Sequence, residues 1–265
     1  MKGSLKRALC AALLLTAAPS VASAEDADRN YPAIATGMAI PTGALAAVGG
    51  LPLRGRSVLV DAASARLYML EDGQVRDSMR VIVGKPTAAT PPLRSVLNYA
   101  TLNPYWNVPV DLARTIVAPK VLTQGTSYLR ERGYEVVSTF GKNARVLDAD
   151  SVDWPAVAAG LETVYVRQRP GPANSMGQIK FGLAQGNGIY LHDTPNKDLF
   201  SEAERNLSNG CVRLEDAERF AEWLLGDQPE LGSAEPEQLV PLPGAVPITI
   251  AYLDSQAQMQ LASLR

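Results

Sequence analysis

From residue 57 to residue 84 the chain reads "SVLVDAASARLYMLEDGQVRDSMRVIVG", and no other stretch constrains the fold as tightly. Three short runs rich in Val, Leu, Ile or Tyr are broken at 62–65 and at Glu71-Asp72-Gly73. Asp-Gly between two apolar runs is a strong hairpin signal. Further strand-like runs lie at 96–102, 162–167, 179–181, 188–192 and 246–253. Short strands at this spacing, separated by Gly and Pro turns, predict a mainly β chain. They favour a sandwich or barrel over a parallel α/β sheet.

Two regions depart from that pattern. "DLARTIVAPKVL" and "TSYLRERGY" have helical composition but are interrupted by Pro119 and Gly125, which predicts an inserted, mainly helical excursion over about 111–160. "LEDAERFAEWLLGD" is cleaner. Ala217, Phe220, Ala221, Leu224 and Leu225 fall on one helical stripe, and Gly226 is placed to stop the helix. Residues 25–54, rich in Ala, Gly and Pro, show neither period and read as a linker or N-terminal arm. "DQPELGSAEPEQLVPLPG" reads as a loop, and 256–265 as a C-terminal tail.

The first residues carry a different message. Lys2, Lys6 and Arg7 precede an apolar run over 8–18, and Ala22-Ser23-Ala24 offers a small-x-small cleavage site before Glu25. Residues 1–24 therefore read as a secretory signal peptide. The apolar run is too short for a membrane span, which needs about 20 residues. The precursor has 25 basic and 27 acidic residues, net −2. Losing those three bases leaves 22 against 27, or −5. A mildly acidic mature chain without a basic run argues against nucleic acid as a partner.

Processing also removes Cys10 and leaves one cysteine, Cys211, in an exported chain. A lone thiol there is a reactive group, half of an intermolecular pair, or a small buried hydrophobe. To act as a nucleophile it needs a base, and His192 is the one imidazole in the sequence. His192 closes the apolar run "GIYLH" just before the turn-like "DTP". Gly210 permits a tight turn ahead of Cys211, whose backbone N–H groups could stabilise an oxyanion. Arg213 reads either as a carboxylate-binding cation or as a structural partner of Asp216 or Asp193. One Cys and one His are too few for a zinc site, and no cofactor is implied.

These residues carry a resemblance. "HDTPNKDLFSEAERNLSNGCVR" (192–213) places fifteen residues between a His and Ser-x-Gly-Cys-Val-Arg, and so resembles the signature of the L,D-transpeptidase (YkuD-type) catalytic domain. "NPYWNVP" (103–109), "GPANSMGQIKF" (171–181) and "IYLHDTPNKDLF" (189–200) are similar to the large periplasmic branch of that family, which carries a capping subdomain. The resemblance covers about 55–255 and would make 111–160 the cap. Asn209 stands where many relatives have His, and Asp193 where many have Gly.

The resemblance implies an exported, periplasmic enzyme of cell-wall biogenesis, with a β-sandwich or barrel-like catalytic fold and one amphipathic helix after the cysteine. Cys211 would attack a peptidoglycan stem peptide at the L-centre of position three. His192 would move the protons, oriented by a backbone carbonyl, and the N–H groups of Gly210 and Cys211 would hold the oxyanion. Ser208 and Asn209 belong to the active-site turn with Gly210 and Arg213. Tyr190, Trp106 and Asp193 are expected near substrate, Trp106 equally as a core residue; Trp154 and Trp223 read as packing. Carbapenems would acylate Cys211. The competing functions are an L,D-carboxypeptidase or endopeptidase, with water as acceptor, and a non-catalytic wall-binding protein.

Overall fold

The computed structural model describes residues 51–52, 54–186, 188–226 and 235–264. The 1–24 signal peptide, residues 25–50 of the linker and residues 227–234 of the Pro/Glu-rich loop lie outside the described residues. The three opening runs are strands β1 (Arg56–Asp61), β2 (Arg66–Glu71) and β3 (Gln74–Gly84). They are followed by β4 (Leu93–Leu102), β5 (Trp106–Val108), β6 (Tyr134–Val137), β7 (Val146–Leu147) and β8 (Tyr165–Gln168). The last five are β9 (Ile179–Leu183), β10 (Leu191–His192), β11 (Asn206–Ser208), β12 (Val212–Leu214) and β13 (Gln238–Ala251).

Nine strands form one mixed sheet in the order β11-β3-β12-β10-β9-β4-β13-β1-β2, and an additional β2–β3 pairing brings its two ends together. The result is a nearly closed, barrel-like ring. The long strand β3 makes this possible: Gln74 to Arg80 pair with β2, while Val81 and Ile82 pair with β12. Closure removes exposed sheet edges and encloses a core of alternating residues.

The alternation explains the apolar runs. Val58, Val60, Leu67 and Met69 face the main core, whereas Leu59, Tyr68 and Leu70 belong to a second cluster on the opposite face. A strand buried on both faces needs a cover on each. The outer cover is a helix over Ser255–Ala262. It places Ala257 and Leu261 on Leu59 and Tyr68's cluster, and its Gln258 donates to the Asp61 carboxylate at 2.8 Å. The segment expected to be a C-terminal tail is thus part of the fold. Its apolar stripe is too sparse to read from sequence alone. Leu51, in the stretch expected to be a linker or an N-terminal arm, is buried in the same cluster, as a packed arm would be.

The helix predicted after Cys211 spans Ala217–Leu225. Its Asp216 cap accepts the Arg219 N–H at 3.0 Å. Phe220 meets Phe181 edge-on at 4.9 Å between ring centres, and Trp223 donates to Glu71 at 3.1 Å. Burying Phe220 and Leu224 stabilises the fold by roughly 1.5–3 kcal/mol each.

The inserted segment keeps its expected helices and adds a small sheet. It carries a four-stranded sheet, β5-β8-β6-β7, as well as helices, with a core of Val108, Val117, Leu129, Val136, Trp154 and Val166. Within 111–160 the segment is mainly helical, as expected, with β6 and β7 its two short strands; β5 and β8, which complete the small sheet, lie outside those bounds. Strands of two to four residues leave little periodic signal. Pro119 does not cut its main helix, which runs through Val110–Leu112, a π-helical Ala113–Val117 and Ala118–Gln124. The Ala118 N–H reaches back five residues to Ala113 O. This widened turn gives the Pro119 ring room that a regular α-turn denies it. Gly125, at φ +75°, ends the helix as expected.

Buried amides fasten this insertion to the ring. Gln168 donates to Arg132 O and Ala173 O, both at 2.8 Å, and accepts from the Ser175 N–H. Asn174 donates to Pro104 O at 2.9 Å and accepts from the Met176 N–H at 2.7 Å. These bonds fix the 169–178 loop just ahead of β9.

Candidate active site

Strand β10 has two residues, and its neighbours decide where they point. Leu191 pairs with Val212 on β12 and with Phe181 on β9, and all three are fully buried in the main core. The next residue faces the other way. His192 therefore stands on the opposite face, paired with Arg213 on one side and Lys180 on the other.

Asp193 orients the imidazole. His192 Nδ1 lies 2.5 Å from the Asp193 carbonyl oxygen, which can only accept, so Nδ1 carries the proton and Nε2 the lone pair. The Asp193 backbone is held in turn: its N–H donates to Ile179 O at 2.9 Å. Its carboxylate accepts from the Gln178 N–H at 2.9 Å and from Lys197 Nζ at 2.7 Å. The side chain expected near substrate is engaged in fixing the 169–178 loop, and through its own carbonyl it holds His192. Gly177 is required there, because a Cβ would collide with the Asp193 carboxylate.

His192 is only 4% exposed. Burial pushes its pKa down from 6.5 to about 4, with the nearby charges of Arg213 and Lys180 adding to the effect and the Asp193 carbonyl opposing it. The imidazole is neutral at physiological pH. Burial likewise pushes the Cys211 thiol up, opposed by the Tyr190 backbone N–H and by Arg213. The resting pair is thus a neutral thiol and a neutral base. The thiol donates a long bond to Gly188 O at 3.8 Å.

The cysteine sits on a tightly strapped turn. Ser208 Oγ accepts from the Gly210 N–H at 3.1 Å and donates to Cys211 O at 2.6 Å. Thr90 Oγ1 accepts from the Gly84 N–H and donates to Gly210 O, both at 2.8 Å, and the Lys85 N–H donates to Ser208 O at 2.9 Å. Gly210 has φ +120°, and a Cβ there would lie 3.3 Å from Ile189 Cδ1. Only glycine adopts this conformation without strain. The turn corrects one expectation. The Gly210 N–H is already bound to Ser208, which leaves the Cys211 N–H as the turn's open donor; it makes no hydrogen bond among the described residues.

The other expected residues scatter. Tyr190 flanks the site: its carbonyl accepts from the Val212 N–H at 2.9 Å, and Lys180 Nζ lies 5.4 Å from its ring centre. Asn209 is exposed on the turn. Trp106 lies on β5 and tilts against Tyr134 at 6.2 Å, packed on the insertion's core. Trp154 is buried in that core, and Trp223 packs on the main one. Neither acid offered to Arg213 is its partner. Asp216 pairs with Arg219 at 3.2 Å and Asp193 with Lys197 at 2.7 Å. Thr90, Gln178 and Lys180 were missed from sequence, because a side chain that holds a turn from a distant strand has no local signature.

A conserved-domain profile described as the L,D-transpeptidase catalytic domain matches residues 55–248. The chain belongs to the L,D-transpeptidase family, a family of enzymes. It is 35% identical over 168 residues to a putative L,D-transpeptidase of Haemophilus influenzae, covering 63% of this chain and 33% of that protein. The chain thus spans about a third of that relative's length. Among solved structures, an L,D-transpeptidase from Mycobacterium smegmatis is 18% identical, with 74% of this chain and 59% of that one covered and a TM-score of 0.34. An L,D-transpeptidase in complex with imipenem is 14% identical, with 74% and 59% covered and a TM-score of 0.34.

Proposed function

We propose that the chain is an exported, periplasmic enzyme that cross-links peptidoglycan stem peptides through a thioester on Cys211. The observation that supports it most is the fixed tautomer of His192, whose basic Nε2 makes no hydrogen bond among the described residues and stands on the strand beside β12, which begins one residue after Cys211. A buried imidazole with a lowered pKa is a base ready at neutral pH, and it need not be discharged first.

In the first half-reaction the Cys211 thiol passes its proton to His192 Nε2 as sulfur bonds to the carbonyl carbon at position three. The Cys211 N–H, and charge from Arg213, stabilise the anionic intermediate. The C–N bond then breaks, His192 returns the proton to the leaving amine, and the terminal D-residue departs. In the second half an acceptor amine attacks the thioester, loses a proton to His192, and the sulfur leaves and is reprotonated. The tight turn keeps the sulfur and the oxyanion donor in one rigid unit.

The test is incubation of the mature chain with defined tetrapeptide muropeptides and mass spectrometry of the products. Cross-linked dimers with release of the terminal D-residue are expected. Tripeptide monomers without dimers would replace cross-linking with carboxypeptidase activity.

A further inference from the structure

The register around His192 builds a row of charge. Lys180, His192 and Arg213 stand side by side on β9, β10 and β12, on the face opposite Phe181, Leu191 and Val212. Residues paired across strands share a face and sit within contact range of one another. The imidazole is therefore flanked by two cations.

The two cations are not equivalent. Lys180 Nζ has the Glu237 carboxylate at 3.7 Å and the Tyr190 ring beneath it. Arg213 forms no ion pair and no side-chain hydrogen bond among the described residues, and its Nε is buried without a partner. The acids nearest in sequence are all engaged: Asp193 by Lys197 and the Gln178 N–H, Glu215 by Arg80, and Asp216 by Arg219. Burial already works against the Arg213 charge. Arg213 is half-buried, and a buried guanidinium N–H left without a partner is costly, so a ligand that completes it is favoured.

The ligand is constrained by chemistry. A guanidinium presents planar, paired N–H donors that match a carboxylate in bidentate geometry. Arg213 lies on β12, two residues beyond Cys211 on the turn before it, close enough for its charge to act on both the thiol and His192. On the reading proposed above, a stem peptide brings carboxylates to this spot from two sources. One is the carboxylate of the terminal residue, a single residue (roughly 3.5 Å of extended chain) past the scissile carbonyl. The other is an acidic group on the position-three side chain.

We propose that Arg213 is the residue that reads a carboxylate of the acyl-donor stem peptide beside the scissile bond, and so sets donor specificity. This rests on the stem-peptide reading but is tested apart from turnover. Binding of tetrapeptide to Cys211→Ala is measured by calorimetry, with Arg213 intact and with Arg213→Gln or Arg213→Lys added. Three ligands are used: the free acid, the peptide amidated at its C-terminus, and a peptide with lysine at position three. Thermal melts confirm that each variant is folded.

With Arg213 intact, the free acid should bind roughly 10- to 100-fold tighter than one of the two modified peptides, the size of a charge-assisted bidentate contact. The arm that loses affinity identifies the source. Arg213→Gln should erase that ratio, and Arg213→Lys should restore part of it. A ratio unchanged in Arg213→Gln, or no preference for the free acid with Arg213 intact, would overturn the proposal. Failure of Cys211 to take an acyl group, with the binding preference intact, would instead remove the cross-linking reading alone.

Discussion

The ring of His192 and the carbonyl of Asp193, adjacent in sequence, lie 2.5 Å apart. The residue that follows the base is thus the one that orients it, and no separate carboxylate side chain is needed. Because Asp193 is fixed by Ile179 O, the Gln178 N–H and Lys197, the imidazole is held as rigidly as the loop around it.

His192→Ala should leave the fold intact and slow acylation of Cys211 by roughly 10²–10⁴-fold, the usual contribution of a positioned general base. Stopped-flow acylation by a carbapenem measures this. A rate within a few-fold of the parent would remove His192 from the mechanism.

The same histidine should make stability depend on pH. Its folded pKa of about 4 lies below the ordinary 6.5, so between these values the unfolded chain binds a proton that the folded chain does not. Stability from this group is complete above about pH 6.5 and is lost as pH falls towards 4, by up to about 3 kcal/mol. Urea unfolding at pH 7 and pH 4 should show a smaller loss in His192→Gln than in the parent; equal losses would contradict the burial of a neutral imidazole.

Thr90→Val keeps the shape of the side chain and leaves the Gly84 N–H and the Gly210 carbonyl without their partner. The expected cost is about 1–3 kcal/mol for each buried group left unsatisfied, together with slower acylation, because the turn carrying Cys211 loosens. Thr90→Ser should recover most of both in urea titrations and acylation assays. Normal acylation in Thr90→Val would show that the strap does not position the sulfur.

Phe220→Ala removes a fully buried ring from its edge-on contact with Phe181. A loss of about 3–5 kcal/mol is expected by equilibrium unfolding. A loss under 1 kcal/mol would mean that the helix after the cysteine is not anchored in the main core.

The strands that bear the core were legible because their alternation is strong: 57–84 gave β1 to β3 with both breaks in place. The helix over Ala217–Leu225 was legible for the same reason. The 162–167 run begins three residues before its strand does, and of 188–192 only Leu191 and His192 are paired. Strands β5, β6, β7, β11 and β12 have two to four residues, too few for any period to show. The residues of the motif were legible, but their division of labour was not. That Ser208 consumes the Gly210 N–H, that Thr90 holds the turn and that Asp193 is occupied are facts of tertiary contact. No spacing along the chain encodes them.

The most direct measurement is the intact mass of the mature chain after exposure to a carbapenem, followed by peptide mapping. One adduct per chain, located on Cys211 and absent from Cys211→Ala, is the expected result. An adduct on another residue, or an unmodified chain, would contradict a nucleophilic Cys211 activated by His192.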